Sequence, residues 1–179
     1  MPLNESWQTA EIPGPKKASL IIKPDIADAM IRRAKRPIMI VGHGILEYEV
    51  EGNYLIDCLI ELAKKAKIPI VVSASTNKEF LARGYEPAAI MTAIDISNRL
   101  TDTEWKGLDG KDSYDLAIFV GLPYSMEWTI LSGLKHFAPG VKTMTLDCVY
   151  QPNASWSFPN STIKDWAANL KGIVTNLGD

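Results

Sequence analysis

The segment of this chain best suited to chemistry is Gly42-His43-Gly44, which ends the apolar run Pro37-Ile38-Met39-Ile40-Val41. Glycines at a strand end allow a backbone to approach a phosphate closely, and their N–H groups can point at it. Gly121 closes a second run, Leu116-Ala117-Ile118-Phe119-Val120, in the same way. Gly42, His43, Gly44 and Gly121 are therefore the candidate cofactor-binding residues, with a nucleotide as the ligand. The dinucleotide fingerprint is nevertheless incomplete. A third small residue is needed where Glu47 stands, and an acidic residue is needed after the next strand, which closes on Ser73. His43 stands at a strand end, but general-base work requires an orienting partner that the sequence does not identify, so no catalytic residue is assigned. Neither a Gly-x-Ser-x-Gly elbow nor a P-loop occurs.

Metal chemistry is limited by the donor count. Two cysteines, Cys58 and Cys148, lie far apart with no Cys-x-x-Cys spacing. About four thiolates normally hold an iron–sulfur cluster, so this chain is not expected to carry one alone. His43 and His136 are too few and too widely spaced for a zinc site, and no metal ligand is assigned.

The elements that must position the glycines alternate between strand and helix. Pro24 suits the first turn of a helix whose apolar face is Ile26, Ala27, Met30, Ile31 and Ala34. Arg32, Arg33, Lys35 and Arg36 gather at its end, where they complement the helix dipole or form a partner-facing patch. Residues 53–66 read as an amphipathic crossover helix, 68–72 as a strand, and 73–84 as a helix capped from its Ser/Thr/Asn-rich start. Pro87 is expected to begin a helix burying Ile90, Met91 and Ile94. A polar loop over 100–113 leads to the strand ending at Gly121, followed by a helix over 125–137, a strand over 141–146, an aromatic loop over 147–160 and a closing helix from Thr162. Such alternation predicts a doubly wound parallel α/β sheet of four strands with one or two more. The ligand crevice of such a sheet opens at the switch point, here expected between the strands ending at Gly42 and Gly121.

A length of 179 residues suits one compact unit. Residues 1–23 read as an extended N-terminal arm, and residues 24–179 as a single domain. A net charge of −2 with mixed signs gives no electrostatic footprint for nucleic acid or an anionic membrane. No apolar stretch approaches the roughly 20 residues that span a bilayer, and no signal peptide is evident, so a cytoplasmic location is expected. The sequons at Asn4, Asn153 and Asn160 then read as chance matches. Of the five tryptophans, Trp7 falls in the arm and Trp156 in the aromatic loop. Together with Phe158 they are expected to offer anchors for a partner surface.

The order of three segments resembles the epsilon subunit of the archaeal acetyl-CoA decarbonylase/synthase (CO dehydrogenase/acetyl-CoA synthase) complex. These are Arg36-Pro37-Ile38-Met39-Ile40-Val41-Gly42 early, Phe80-Leu81-Ala82-Arg83-Gly84 after the second strand, and the late stretch from Tyr150 through Pro152, Trp156 and Phe158 to Asn160. The resemblance covers nearly the whole chain. It implies a Rossmann-like (DHS-like NAD/FAD-binding) three-layer sandwich and a non-catalytic, oligomeric accessory subunit. Its implied partner is the large CO dehydrogenase subunit that carries the nickel–iron–sulfur centre. It also implies stabilisation of that subunit and assistance in electron transfer to FAD, the one cofactor suggested. The opening strand also looks like the central domain of thiamine-diphosphate enzymes. A free-standing nucleotide-binding module, or an NAD-using enzyme of the sirtuin fold class, is the alternative.

Overall fold

The computed structural model describes residues 16–50 and 52–178. In chain order the elements are β1 (Ser19–Leu20), α1 (Pro24–Arg33), β2 (Pro37–Val41), a single 3-10 turn over His43–Glu47, β3 (Glu49–Val50), β4 (Asn53–Tyr54) and α2 (Leu55–Ala66). There follow β5 (Ile70–Val72), α3 (Ala74–Ala82), β6 (Ala89–Ile90), α4 (Ala93–Thr101), β7 (Leu116–Val120), α5 (Tyr124–Phe137), β8 (Lys142–Thr145), β9 (Trp156–Ser157) and α6 (Ile163–Asn176).

The protein is α/β. Seven strands form one parallel sheet in the order β1-β9-β8-β7-β2-β5-β6, while β3 and β4 make a small antiparallel hairpin. Period-two alternation splits the central strands between two cores. Met39, Val41, Ile118 and Val120 pack toward Ala27, Ile31, Leu59 and Leu170 of α1, α2 and α6. Ile38, Ile40, Ala117 and Phe119 pack toward Ile96, Leu100, Ile130 and Leu134 of α4 and α5. Burial on both faces explains why β2 and β7 read as continuous apolar runs. From β2 the chain moves through α2 to β5 on one side. From β7 it moves through α5 to β8 on the other, so the switch point lies between β2 and β7.

Several expectations need correction. Pro87 does not begin a helix: Ala88 N–H donates to Ile70 O at 2.8 Å and Met91 N–H to Val72 O at 2.9 Å, making residues 89–90 the edge strand β6. The helix starts later, where the Thr92 hydroxyl accepts the Asp95 N–H at 3.1 Å. It buries Ile96 and Leu100 and leaves Ile90 and Ile94 on the surface. Between Gly42 and α2 the chain runs through the 3-10 turn and the hairpin. Ser73 stands at the start of α3 without capping it, because its hydroxyl bonds those of Ser75 and Thr76 instead.

The aromatic loop is integral to its own domain. Trp156 belongs to β9 and is half-buried, while Phe158 and Tyr150 are buried. Tyr150 OH donates to Ala18 O at 2.8 Å and Tyr150 N–H to Asn160 Oδ1 at 2.8 Å. Phe158 is therefore not an exposed anchor. Of residues 1–23, those from 16 onward are described, and Ser19–Leu20 pairs with β9 as the other edge of the sheet. Trp7 and Asn4 lie outside the described residues. The basic cluster after α1 is partly used internally: Arg32 pairs with Asp28 at 2.9 Å, and Arg36 pairs with Asp109 at 2.6 Å while lying over the Tyr114 ring.

Candidate functional site

A cavity of about 420 Å³ opens over the carboxyl ends of β2, β7 and β8, at the switch point. His43, Gly44, Gly121 and Glu47 line it, so three of the four sequence-derived candidates border one space. The fourth, Gly42, is buried just behind them. Their arrangement is specific. The Gly42 N–H donates to Val120 O at 2.9 Å, the Gly44 N–H to Gly121 O at 2.9 Å, and the Gly121 N–H to Asp147 Oδ1 at 2.8 Å. Gly121 has a φ of +75°, a left-handed conformation that side chains disfavour. All three amide donors are thus engaged within the protein, and the glycines allow the two strand ends to touch. A five-residue 3-10 turn also supplies none of the aligned dipole that a long helix would direct at an anion. His43 is exposed at the mouth.

The floor is acidic. Glu127, in the first turn of α5, is 1% exposed, and Asp147 follows β8 with Leu146 in between. Burial and the neighbouring Asp147 charge push the Glu127 carboxyl well above the usual carboxylate range. Burial also raises Asp147, to about 6, against the opposing effect of the hydrogen bonds from Glu127 and the Gly121 N–H. Two neighbouring carboxyls, one fully buried and one half-buried, do not both ionise readily near neutrality, so the more deeply buried Glu127 is the one that keeps its proton. Glu127 Oε1 and Asp147 Oδ2 are both buried without a hydrogen-bond partner in the geometry of the site. Gln151 Nε2 faces the Tyr124 carbonyl oxygen at 3.1 Å and Glu127 Oε2 at 3.4 Å. A backbone carbonyl can only accept, which fixes the amide orientation and leaves Gln151 Oε1 buried without a partner.

The walls are aromatic. Trp166 Nε1 donates to Leu146 O at 2.5 Å, and Tyr48 meets the Trp166 ring edge-on with centroids 5.1 Å apart. Cys148 also lines the cavity, and burial pushes its thiol up, away from the reactive thiolate. Cys58, half-buried on α2, is likewise raised by burial. Among the described residues no three of His, Cys, Asp and Glu gather in a way that could hold a metal ion, and no helix is long and apolar enough to cross a membrane.

Glu127, Asp147 and Gln151 escape a reading based on glycine turns. A signal for Glu127 was present in the sequence, because it shares the helical stripe of Ile130, Leu131 and Leu134, where a carboxylate is out of place. Asp147 follows a parallel strand adjacent to β7, a position where such sheets place ligand-facing side chains.

The chain matches, over residues 1–174, the family described as CO dehydrogenase beta subunit/acetyl-CoA synthase epsilon subunit. It is 36% identical over 167 residues to the acetyl-CoA decarbonylase/synthase complex subunit epsilon of Methanothermobacter thermautotrophicus, covering 92% of this chain and 91% of that protein. The subunit epsilon of Methanothrix soehngenii is 36% identical over 174 residues, covering 96% and 90% of the two chains. Subunit epsilon 1 of Archaeoglobus fulgidus is also 36% identical, covering 98% and 94%. With the family matched along almost its whole length, this chain belongs to the CO dehydrogenase beta subunit/acetyl-CoA synthase epsilon subunit family.

Proposed function

We propose that this chain is a non-catalytic accessory subunit that binds and stabilises the large, metal-bearing CO dehydrogenase subunit of a cytoplasmic acetyl-CoA decarbonylase/synthase complex. The observation that carries this reading is the family match over residues 1–174, with relatives named as a subunit of that complex. The donor inventory supports it, since two separated cysteines and two histidines leave the metal chemistry to a partner. The accompanying fold reading is Rossmann-like, of the DHS-like NAD/FAD-binding class, supported by the parallel sheet and its switch point between β2 and β7.

The proposed assistance in electron transfer to FAD has weaker support from the site. The glycine turn does not fit a diphosphate, because its N–H groups are engaged and Asp147 and Glu47 present negative charge to the same space. No electron-transfer step follows from these residues.

The test is co-expression of the large subunit with and without this chain, followed by co-purification and thermal inactivation of CO oxidation. Stoichiometric co-purification and slower inactivation in its presence are expected. A large subunit that neither retains the chain nor gains stability from it overturns the reading. The isolated chain should contain neither nickel nor iron by elemental analysis.

A further inference from the structure

The acidic floor of the switch-point cavity has no role in the accessory-subunit reading, although burying it is costly. Asp147 is half-buried: its Oδ1 accepts the Gly121 N–H at 2.8 Å, and its Oδ2 is buried without a hydrogen-bond partner beside the Glu127 carboxyl. Beside it, Gln151 is 1% exposed and leaves Oε1 without a hydrogen-bond partner while lining the cavity. A buried, unpaired amide carbonyl costs about 1–3 kcal/mol, so a site that retains one beside a net negative charge is matched to a ligand that brings donors. An anion is disfavoured on charge. A bare metal ion is a poor match for about 420 Å³, because among the described residues no three of His, Cys, Asp and Glu are placed to hold one. Tyr48 and Trp166 also line the cavity, and aromatic rings attract organic cations.

We propose that this cavity binds an organic cationic nitrogen group, an alkylammonium or a guanidinium, which donates hydrogen bonds to Asp147 and Gln151 Oε1 against the Tyr48 and Trp166 rings. Glu127 acts as a positioning residue: it stands protonated beside Asp147 and does not itself need to touch the ligand. The cation comes either from a free amine or from a lysine or arginine side chain of a partner subunit. The chemistry is the same in both cases, and only the second source rests on the proposed association with the large subunit.

Titration of the full chain with butylammonium and with guanidinium, followed by calorimetry and by the amide signals of Gly121 and the Gln151 side chain, tests the proposal. Butanol and butyrate serve as neutral and anionic controls. Saturable binding of a cation that moves both signals, with neither control binding, is expected. Binding should weaken about tenfold from pH 7 to pH 5 as Asp147 takes up a proton. The other titratable groups facing this pair are His43, Glu47 and Tyr48 from the turn segment, Tyr124 from α5 and Cys148 beside Asp147. His43→Gln should leave the pH profile intact, which separates the Asp147 effect from charge at the mouth. Asp147→Asn should weaken binding at least tenfold, and the wild-type amide signals decide the question if that variant does not fold. Should the isolated chain bind no cation while Asp147→Asn reduces association with the large subunit about tenfold, the cation is a partner's side chain and the proposal holds. Equal binding of butanol, or no cation binding together with unchanged subunit association, overturns it.

Discussion

A Cβ built on Gly42 would stand 2.2 Å from the carbonyl oxygen of Gly121. The two glycines lie 79 positions apart, one ending β2 and the other ending β7, and their contact draws the central strands together at the switch point. The obstacle is backbone rather than a side chain that could rotate away. Gly42→Ala is therefore expected to destabilise the protein by about 3 kcal/mol or more, at the upper end of overpacking costs. Gly133→Ala supplies the control, since a Cβ there meets nothing within 4 Å and the residue lies inside α5. It should stabilise by about 0.5–1 kcal/mol through helix propensity. Urea denaturation of the two variants measures both effects.

The pair Glu127 and Asp147 gives stability a definite pH dependence. Both carboxyls have folded-state pKa values above their unfolded ones. The folded state therefore binds more protons, and the stabilisation is fully present below about pH 4 and lost as pH rises through the folded values. For Asp147, moving from 3.8 to about 6 corresponds to roughly 3 kcal/mol lost between those pH values. Glu127→Gln keeps a donor toward Asp147 and removes the competing charge, so its stability should vary less across this range. Thermal unfolding from pH 4 to pH 8 tests the sign: a wild type whose melting temperature rises across that window would show that the pair is not protonated as described.

Asp115 ties the start of β7 to the end of α1. Its Oδ2 accepts the Lys35 N–H at 2.8 Å and its Oδ1 the Arg36 N–H at 2.8 Å, so one carboxylate serves two consecutive backbone donors at the entry to β2. Asp115→Ala should cost about 1–3 kcal/mol, more than an exposed salt bridge is worth. Asp109→Ala, which breaks the pair with Arg36 and an exposed hydrogen bond from the Lys111 N–H, should cost under about 1 kcal/mol. Chemical denaturation of the two variants gives the comparison, and equal losses would remove the special role of Asp115.

The central strands were legible because burial on both faces leaves unbroken runs such as Ile38-Met39-Ile40-Val41, and the glycines after them marked the crevice. The outer strands were not. β1, β6 and β9 have two residues each, too few to show a period, and they exist because neighbouring backbones offer them hydrogen bonds. That is why residues 89–90 looked like part of a helix and Trp156 looked like a loop anchor. Within the site, the positions of Gly44 and Gly121 followed from their turns. Their engaged N–H groups did not, since those depend on Asp147 and on a contact between segments distant in sequence. Glu127 was readable only as a charge on an apolar stripe, and its meaning required the neighbour that the fold supplies.

Truncation at the N-terminus separates an edge strand from a partner surface. Ala18 N–H donates to Pro152 O at 3.0 Å, Ser19 N–H to Ser155 O at 3.0 Å and Ile21 N–H to Ser157 O at 2.8 Å, while Tyr150 OH is satisfied by Ala18 O. Deleting residues 1–20 removes β1 and leaves the buried Tyr150 hydroxyl without its acceptor, so such a deletion does not spare the core. Compared with deletion of residues 1–15, the longer deletion should lower stability by a further 2 kcal/mol or so, from lost strand pairing and the stranded hydroxyl. The shorter deletion keeps every one of these contacts and removes Trp7, which makes it the cleaner probe of association. If the first fifteen residues contribute to the partner surface, the chain lacking them should retain its sheet while holding the large subunit at least tenfold more weakly in pull-down and calorimetry. Undiminished association would place the partner surface entirely on residues after 15, and a loss of about tenfold or more appearing only with the longer deletion would assign it to the β1 edge.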